Sequence, residues 1–452
     1  MKRMLTTKLM IAGAALILAG GVKAQTAASD DTSTFKPSGS VWGYVFGDYA
    51  YKTQNDSLGR GGGNVQYKGA ASLNSGNIVS ASNPVPANVQ TNAFQIRRMY
   101  LGYDYQFARN FSASAVLANE QTLLGNNQNT VYLKYAFVKW SNIWKNSDLI
   151  IGQYQTASFA TGNGTEPLWG YRAVERTLMD MHNIDGSTDL GASLQGKIWE
   201  AKNVTAEGKK PCYVGYYLQV GNGNSATPAT AQFRKVRANL YVSMLNQKLV
   251  LGAYYDYVTQ QLSPYKTSNT TYKGYLSFRN ESIHLGAEFF QQTNQNSDVY
   301  KVLEDKTKNT LSVNDTASGV QFGMSVFGSV KIVKNKLNFF ARYDMYNPNT
   351  KWSNSNVYSK AYSGITGSNL TSTTFYTQTF LTAGFDWTPD KRFHIMPNVW
   401  YNAYNSMMSS SYADFVGKPF SSRMVKDEDI VYRVTFYWLF NPSKKVNNNG
   451  FY

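Results

Sequence analysis

Cysteine, histidine and long hydrophobic runs are scarce in this chain of 452 residues. The single cysteine, Cys212, cannot form an internal disulfide bond. The three histidines, His182, His284 and His394, show neither metal-ligand spacing nor a local serine or aspartate pattern typical of a nucleophilic triad. The sequence therefore predicts no metal site, no cofactor and no enzymatic reaction.

Long apolar runs are confined to the N-terminus. Residues 1–24 combine a basic start, an apolar core and a small-residue ending, which predicts a secretory signal peptide. A polar, flexible leader is predicted to follow at residues 25–39. Beyond it no run of about 18 apolar residues predicts a transmembrane helix. An exported chain of this kind can still span a membrane if its strands close a barrel, because closure satisfies every backbone polar group.

Tyrosine and phenylalanine are abundant, with 33 and 24 residues, although the mean hydropathy is only −0.39. This combination fits strands whose faces alternate between lipid and water. Four bases of the predicted signal peptide contribute to the net charge of +16, which leaves +12 on the remaining chain. Nucleic acid is not an expected partner of an exported protein. The positive charge instead favours an aqueous path that attracts anions.

Apolar and polar residues alternate with period two in one segment after another, as at residues 249–258 and 283–292. The segments have the length that a tilted membrane strand needs. They predict about sixteen strands, at residues 41–51, 94–107, 111–120, 131–141, 148–155, 189–198, 213–221, 233–244, 248–258, 272–279, 283–292, 317–332, 336–346, 375–387, 393–405 and 430–440.

The connections between these strands alternate between mostly short turns and long polar segments. Long segments fall at residues 52–93, 121–130, 157–188, 222–232, 259–271, 293–316, 347–374 and 406–429. This parity is typical of a transmembrane antiparallel β-barrel with long loops at the cell surface. We therefore predict an all-β fold, with one outer-membrane barrel over residues 40–452. A soluble secreted β-sandwich that binds a ligand is the alternative, because alternation alone fits both folds.

The third long segment, residues 157–188, carries an unusual group of aromatic and charged side chains. Loops longer than about a dozen residues are usually functional or disordered. We predict that this loop folds into the lumen and forms the channel constriction, with a short helix over residues 173–181 that would place both arginines on one face. The alternative is that the same residues only brace the loop through ion pairs. The predicted constriction residues are Trp169, Tyr171, Arg172, Glu175 and Arg176.

A second predicted group lies along the inner wall of the barrel. An arginine or lysine facing the lipid costs about 2–4 kcal/mol, so bases on the strands are expected to face the lumen. The predicted lumen-wall bases are Arg98, Lys134, Lys197, Lys235, Arg237, Lys273, Arg279, Arg342 and Arg433. Acids share that face, so the wall is either a hydrated surface braced by ion pairs or a cationic field that favours anions.

Residues 94–120 read FQIRRMYLGYDYQFARNFSASAVLANE, and residues 148–159 read DLIIGQYQTASF. These segments, with the Glu175-Arg176 pair, resemble the phosphate-selective porin family. The resemblance implies a trimer of sixteen-stranded barrels with the third loop inside, located in the outer membrane. The expected partners are outer-membrane lipid, lipopolysaccharide and small anionic or polar solutes. Glu166 and Glu175 lie beside the loop arginines, which argues against strict phosphate selectivity. An outer-membrane barrel enzyme is the remaining alternative.

Overall fold

The alternating segments form sixteen antiparallel strands in one closed barrel. Each strand pairs with its sequence neighbours, and the first strand pairs with the last to complete the closure. The strands are β1 Ser38–Gln54, β2 Thr91–Ala108, β3 Phe111–Glu120, β4 Tyr132–Trp144, β5 Ser147–Gln155, β6 Thr188–Glu200, β7 Tyr213–Gly221, β8 Lys235–Met244, β9 Leu249–Gln261, β10 Thr267–Arg279, β11 Ile283–Asp305, β12 Thr310–Val333, β13 Leu337–Asn347, β14 Tyr376–Asp390, β15 Phe393–Ser406 and β16 Glu428–Phe440.

The computed structural model describes residues 35–54, 91–120, 131–159, 168–205, 208–223, 225, 233–261, 266–305, 310–351, 376–406 and 428–440. The predicted signal peptide and the C-terminal tail after residue 440 lie outside these residues. No helix in the described part of the chain has the length and apolar character needed to cross a membrane.

The two faces of each strand meet different surroundings. On β16, Val434 and Trp438 are exposed on the outer surface, whereas Arg433 and Thr435 are buried inside the barrel. The same arrangement recurs on β9, where Leu251 is exposed and its neighbours are buried. Apolar side chains outside and polar side chains inside are the pattern of a barrel surrounded by lipid. The predicted fold class is confirmed, and the closed barrel excludes the β-sandwich.

Strand ends differ most from prediction at two hairpins. Residues 293–316 were expected to form a loop, but β11 and β12 pair through most of this stretch. Most of residues 259–271 likewise belongs to β9 and β10. These stretches are rich in Thr, Asn, Gln and Ser, so hydrophobic alternation is lost while backbone pairing continues. At the N-terminus, β1 begins at Ser38, inside the predicted leader.

Two β-bulges shape the wall on either side of β3. The β1–β2 register shifts so that Phe46 opposes Arg98 and the next pair is Gly47 with Ile96, which leaves Arg97 as the extra residue. The β3–β4 register shifts in the same way at Lys134. A bulge sets two successive side chains on one face. The bulge on β2 therefore turns both Arg97 and Arg98 into the lumen, where both are buried.

Candidate functional site in the barrel lumen

The two ends of the third loop, residues 156–187, lie next to each other at the barrel wall. The backbone N–H of Thr156 donates to the carbonyl of Ser187 at 3.2 Å, and the Thr156 hydroxyl donates to the carbonyl of Gly186 at 2.7 Å. Residues 168–179 are all buried inside the barrel. The part of the loop that the structure describes therefore runs through the lumen, as predicted.

Aromatic packing anchors the start of this buried segment. The Tyr171 ring stacks on Phe340 with centroids 4.5 Å apart, and the Trp169 ring meets Phe327 edge-on at 5.6 Å. Trp169 Nε1 also donates to the carbonyl of Glu175 at 2.9 Å. The two predicted constriction aromatics thus attach the loop to β12 and β13.

Arginines from the wall hold the loop backbone. Arg97 donates to the carbonyls of Ala173 and Val174, Arg433 donates to Val174 at 3.2 Å, and Arg342 donates to the carbonyl of Arg176. The predicted helix over residues 173–181 is wrong, because these carbonyls accept from the wall instead of from helical N–H groups. Within residues 173–181, the helix α1 covers Leu178–Met181 alone.

The two predicted loop arginines both lie close to Asp180, which was not among the predicted residues. Arg172 Nη1 lies 3.0 Å from Asp180 Oδ2, and Arg176 Nη1 lies 3.8 Å from Asp180 Oδ1. Glu175 lies between Arg176 and the wall. Its Oε1 accepts a hydrogen bond of 2.9 Å from the Arg176 backbone N–H and lies 3.9 Å from Arg176 Nε, and its Oε2 accepts one of 3.2 Å from Trp400 Nε1. The i,i+4 spacing of Arg176 and Asp180 was the available sequence signal.

Two predicted wall bases, Lys235 and Arg237, form ion pairs with the C-terminal end of the third loop. Asp185 lies 2.8 Å from both Lys235 Nζ and Arg237 Nη2, and Arg237 Nη1 lies 2.6 Å from Asp189. Lys235 also lies 3.1 Å from Asp256. Burial would raise the pKa of Asp185, but the two cations outweigh it and hold this pKa well below its usual range. Lys235 and Arg237 therefore brace the loop.

Six of the nine predicted wall bases form an ion pair. The other four of these pairs are Lys134–Glu120 at 2.6 Å, Lys197–Glu200 at 3.1 Å, Lys273–Glu288 at 2.9 Å and Arg342–Asp344 at 2.5 Å. Arg433 donates to Asn398 at 2.8 Å, and Arg279 lies 3.3 Å from His284 Nδ1. Most of the wall charge is thus locally compensated.

Arg98 lies opposite Glu120 in the register of β2 and β3. Its side chain is only 4% exposed, and its Nη1 has no hydrogen-bond partner among the residues described. The neighbouring Arg97, which the sequence analysis did not place in the lumen, pairs with Asp48 at 2.8 Å. Strict alternation would have turned one of the two arginines outward, so the Arg-Arg pair itself was the only sequence sign of a bulge.

The histidines lie apart from one another. His182 stacks on Tyr346 with centroids 3.6 Å apart, and His394 Nδ1 lies 2.8 Å from Asp386. Within the described ranges, no group of three or more His, Cys, Asp or Glu side chains could hold a metal ion.

No known family and no curated protein matches the sequence. Among solved structures, the outer membrane channel DcaP of Acinetobacter baumannii is similar with a TM-score of 0.55 and 10% identity, over 89% of this chain and 97% of that chain. The trimer form of Vibrio cholerae OmpT reaches a TM-score of 0.46 with 10% identity, over 90% of this chain and 100% of that chain. The likeness to DcaP shows a shared outer-membrane barrel fold.

Proposed function

We propose that the protein is a porin of the outer membrane that lets small hydrophilic solutes diffuse through its lumen. The observation that carries the proposal is a closed barrel, apolar outside and polar inside, with a charged loop running through the lumen. The fold shared with an outer membrane channel supports it. Export by the signal peptide at residues 1–24 and contact with lipid and lipopolysaccharide belong to the same proposal.

The proposal includes a preference for anions. Arg172 lies 3.0 Å from Asp180, and Arg176 lies 3.8 Å from Asp180 and 3.9 Å from Glu175. These two arginines and two carboxylates balance one another, but the chain after residue 24 carries a net charge of +12, and charged side chains in a pore select by sign. Wall bases with their own carboxylates contribute less to this field.

Membership in the phosphate-selective porin family, and the trimer that it implies, are also proposals. The double arginine of β2 supports them, because both side chains face the lumen beside the third loop. Phosphate would be one anion among several, since carboxylates lie beside most of the lumen bases.

Deletion of residues 168–181 tests the role of the loop. A barrel of about sixteen strands encloses a wide channel unless something folds inside it. Single-channel conductance in a planar bilayer should rise, while heat-modifiable gel migration should show that the barrel still folds. An unchanged conductance in a folded deletion variant would place the constriction elsewhere.

Replacement of Arg172 and Arg176 by alanine tests the anion preference. The reversal potential in a potassium chloride gradient should move toward the value of a non-selective pore, because Asp180 then stands without its two cations. Lys139→Ala is the control, since this lumen-facing base pairs with Asp148 at 3.4 Å on another part of the wall. Equal reversal potentials for all three proteins would remove the loop arginines from the conducting path.

A further inference from the structure

Two neighbouring hairpins carry a cluster of exposed bases at the short-turn end of the barrel. The backbone N–H of Thr388 donates to the carbonyl of Lys336 at 2.9 Å, which joins the two hairpin ends. All five bases of the cluster are exposed to solvent. They are Lys331, Lys334 and Lys336 at the β12–β13 turn and Lys391 and Arg392 at the β14–β15 turn.

The charge of this cluster is only partly balanced. Asp390 Oδ1 lies 3.3 Å from Arg392 Nε, but both side chains are more than half exposed, so water weakens the pair. The adjoining β10–β11 turn adds one exposed acid, Glu281. Adjacent strands lie about 4.8 Å apart, so neighbouring turns are separated by about 10 Å, or one Debye length at 0.1 M salt. The fields of the bases therefore overlap and make this part of the rim positive.

A cleft of about 570 Å³ opens beside the cluster. Arg392 lies at its edge, and Phe393, Trp438 and Phe440 line it. Trp438 faces outward and is 48% exposed. The volume lies within the range of ligand-binding clefts, which is about 300–1,000 Å³. The cleft therefore has room for a bound group between a guanidinium and aromatic side chains.

Tryptophans indicate the level of this cleft relative to the membrane. Trp387 on β14 and Trp438 on β16 both face outward and are about half exposed. Trp438 pairs with Phe393, the residue that follows Arg392. Tryptophan is enriched where the hydrocarbon of a membrane meets its headgroups. The cleft therefore lies at the boundary of the bilayer, and the bases lie at the level of the lipid headgroups.

We propose that this cleft binds an anionic phospholipid, with the phosphate at Lys391 and Arg392 and an acyl chain against Phe393 and Trp438. Guanidinium groups bind phosphate through paired hydrogen bonds, and bases beside a membrane attract anionic lipids. A phospholipid is the expected ligand because the short turns are predicted to face the periplasm, away from lipopolysaccharide. The site goes beyond the proposed channel and does not depend on conduction.

Native mass spectrometry of the detergent-solubilised protein tests the site. The unmodified protein should bind phosphatidylglycerol saturably and in preference to phosphatidylcholine with the same acyl chains. Lys391→Gln combined with Arg392→Gln should raise the Kd for phosphatidylglycerol by roughly tenfold or more, because the phosphate loses two cations. Lys145→Gln combined with Lys248→Gln is the matched control, since it removes the same charge from exposed bases of two other turns. It should leave this Kd nearly unchanged.

A second pair of variants tests the acyl chain. Trp438→Ala removes an aromatic wall of the cleft and should weaken the binding of phosphatidylglycerol. Trp387→Ala removes an equally exposed tryptophan that does not line the cleft, and should not weaken it. Heat-modifiable gel migration should show that all variants fold, because the substituted side chains are exposed.

Four outcomes would overturn the site. Equal binding of the two lipids by the unmodified protein would remove the preference for negative charge. Equal losses in the two double variants would attribute binding to the charge of the whole rim. Displacement of the lipid by inorganic phosphate would leave a phosphate site without a lipid. Tighter binding after deletion of residues 441–452 would make the C-terminal tail the occupant of the cleft.

Discussion

At the scale of single residues, one carboxylate of the third loop joins the end of the loop to two bases of β8. Asp185 binds Lys235 and Arg237 and also accepts a hydrogen bond of 2.7 Å from Ser158. Removing one partner of a buried ion pair is costly, although here Lys235 keeps Asp256 and Arg237 keeps Asp189 as second partners. The end of the third loop is therefore sensitive to Asp185→Asn, a substitution that hardly changes the volume of the side chain.

Asp185→Asn should lower the stability of the barrel by about 1–3 kcal/mol, because Lys235 and Arg237 each lose one charged partner and keep a second, Asp256 and Asp189. The measurement is the urea concentration at which heat-modifiable migration is lost. Asp390→Asn is the matched control, since Asp390 pairs with Arg392 at the exposed end of β14 and its loss should not change that concentration. Equal effects of the two substitutions would contradict the anchoring role.

The ion pairs of Asp185 with Lys235 and Arg237 should also persist in moderate acid. Because the pKa of Asp185 is lowered in the folded protein, its contribution is complete above the ordinary carboxylate pKa of about 3.9. It is lost only as the pH falls toward the lower folded-state pKa. Single-channel conductance should therefore show no loop release between pH 7 and about pH 4. A conductance rise within that range in the unmodified protein, absent in Asp185→Asn, would contradict this.

At the scale of elements, hydrophobic alternation predicted every strand because lipid outside and water inside impose it on the membrane-facing segments. It failed beyond those segments, as in residues 293–316 of β11 and β12, where apolar and polar residues no longer alternate regularly in the sequence. It also failed at Arg97, because a bulge breaks the period of two. The partner Glu120 could not be predicted, since the pairing of β3 with β4 brings it to Lys134. Asp180 could have been predicted, because it follows Arg176 by four residues.

Trp169→Ala should loosen the loop without removing a charge. A buried tryptophan replaced by alanine costs about 3–5 kcal/mol, and here the loss falls on the packing against Phe327 and Phe340. Single-channel recordings should show more current noise and a higher mean conductance. Trp387→Ala, an outward-facing tryptophan that is about half exposed, should leave both quantities unchanged. Similar noise in both variants would show that Trp169 does not hold the loop.

At the scale of the whole molecule, the two ends of the barrel should face different compartments. Lys266 lies at the end of β10 nearest the third loop, and Asn280 lies in the turn at the opposite end. Asn269, which the sequence places in a surface loop, belongs to β10 instead. Long connections on the loop side predict that this side is the cell surface.

Labelling of intact cells tests this orientation. In a Cys212→Ser background, Lys266→Cys should react with a membrane-impermeant maleimide and Asn280→Cys should not. The native Cys212 lies on the Asn280 side, just before β7, and should also stay unlabelled until the outer membrane is permeabilised. Preferential labelling of Asn280→Cys would invert the assignment.

The carbonyl of Val174 accepts from Arg97 on β2 and from Arg433 on β16, each at 3.2 Å. These strands flank β1, the place where the beginning and the end of the chain meet. One donor is synthesised early and the other among the last residues of the barrel. The loop can acquire both only when the final strand has joined the first, so its seating comes late in assembly. Before the barrel closes, the third loop should therefore be accessible to proteases. Cleavage in this loop would distinguish open barrels from closed ones.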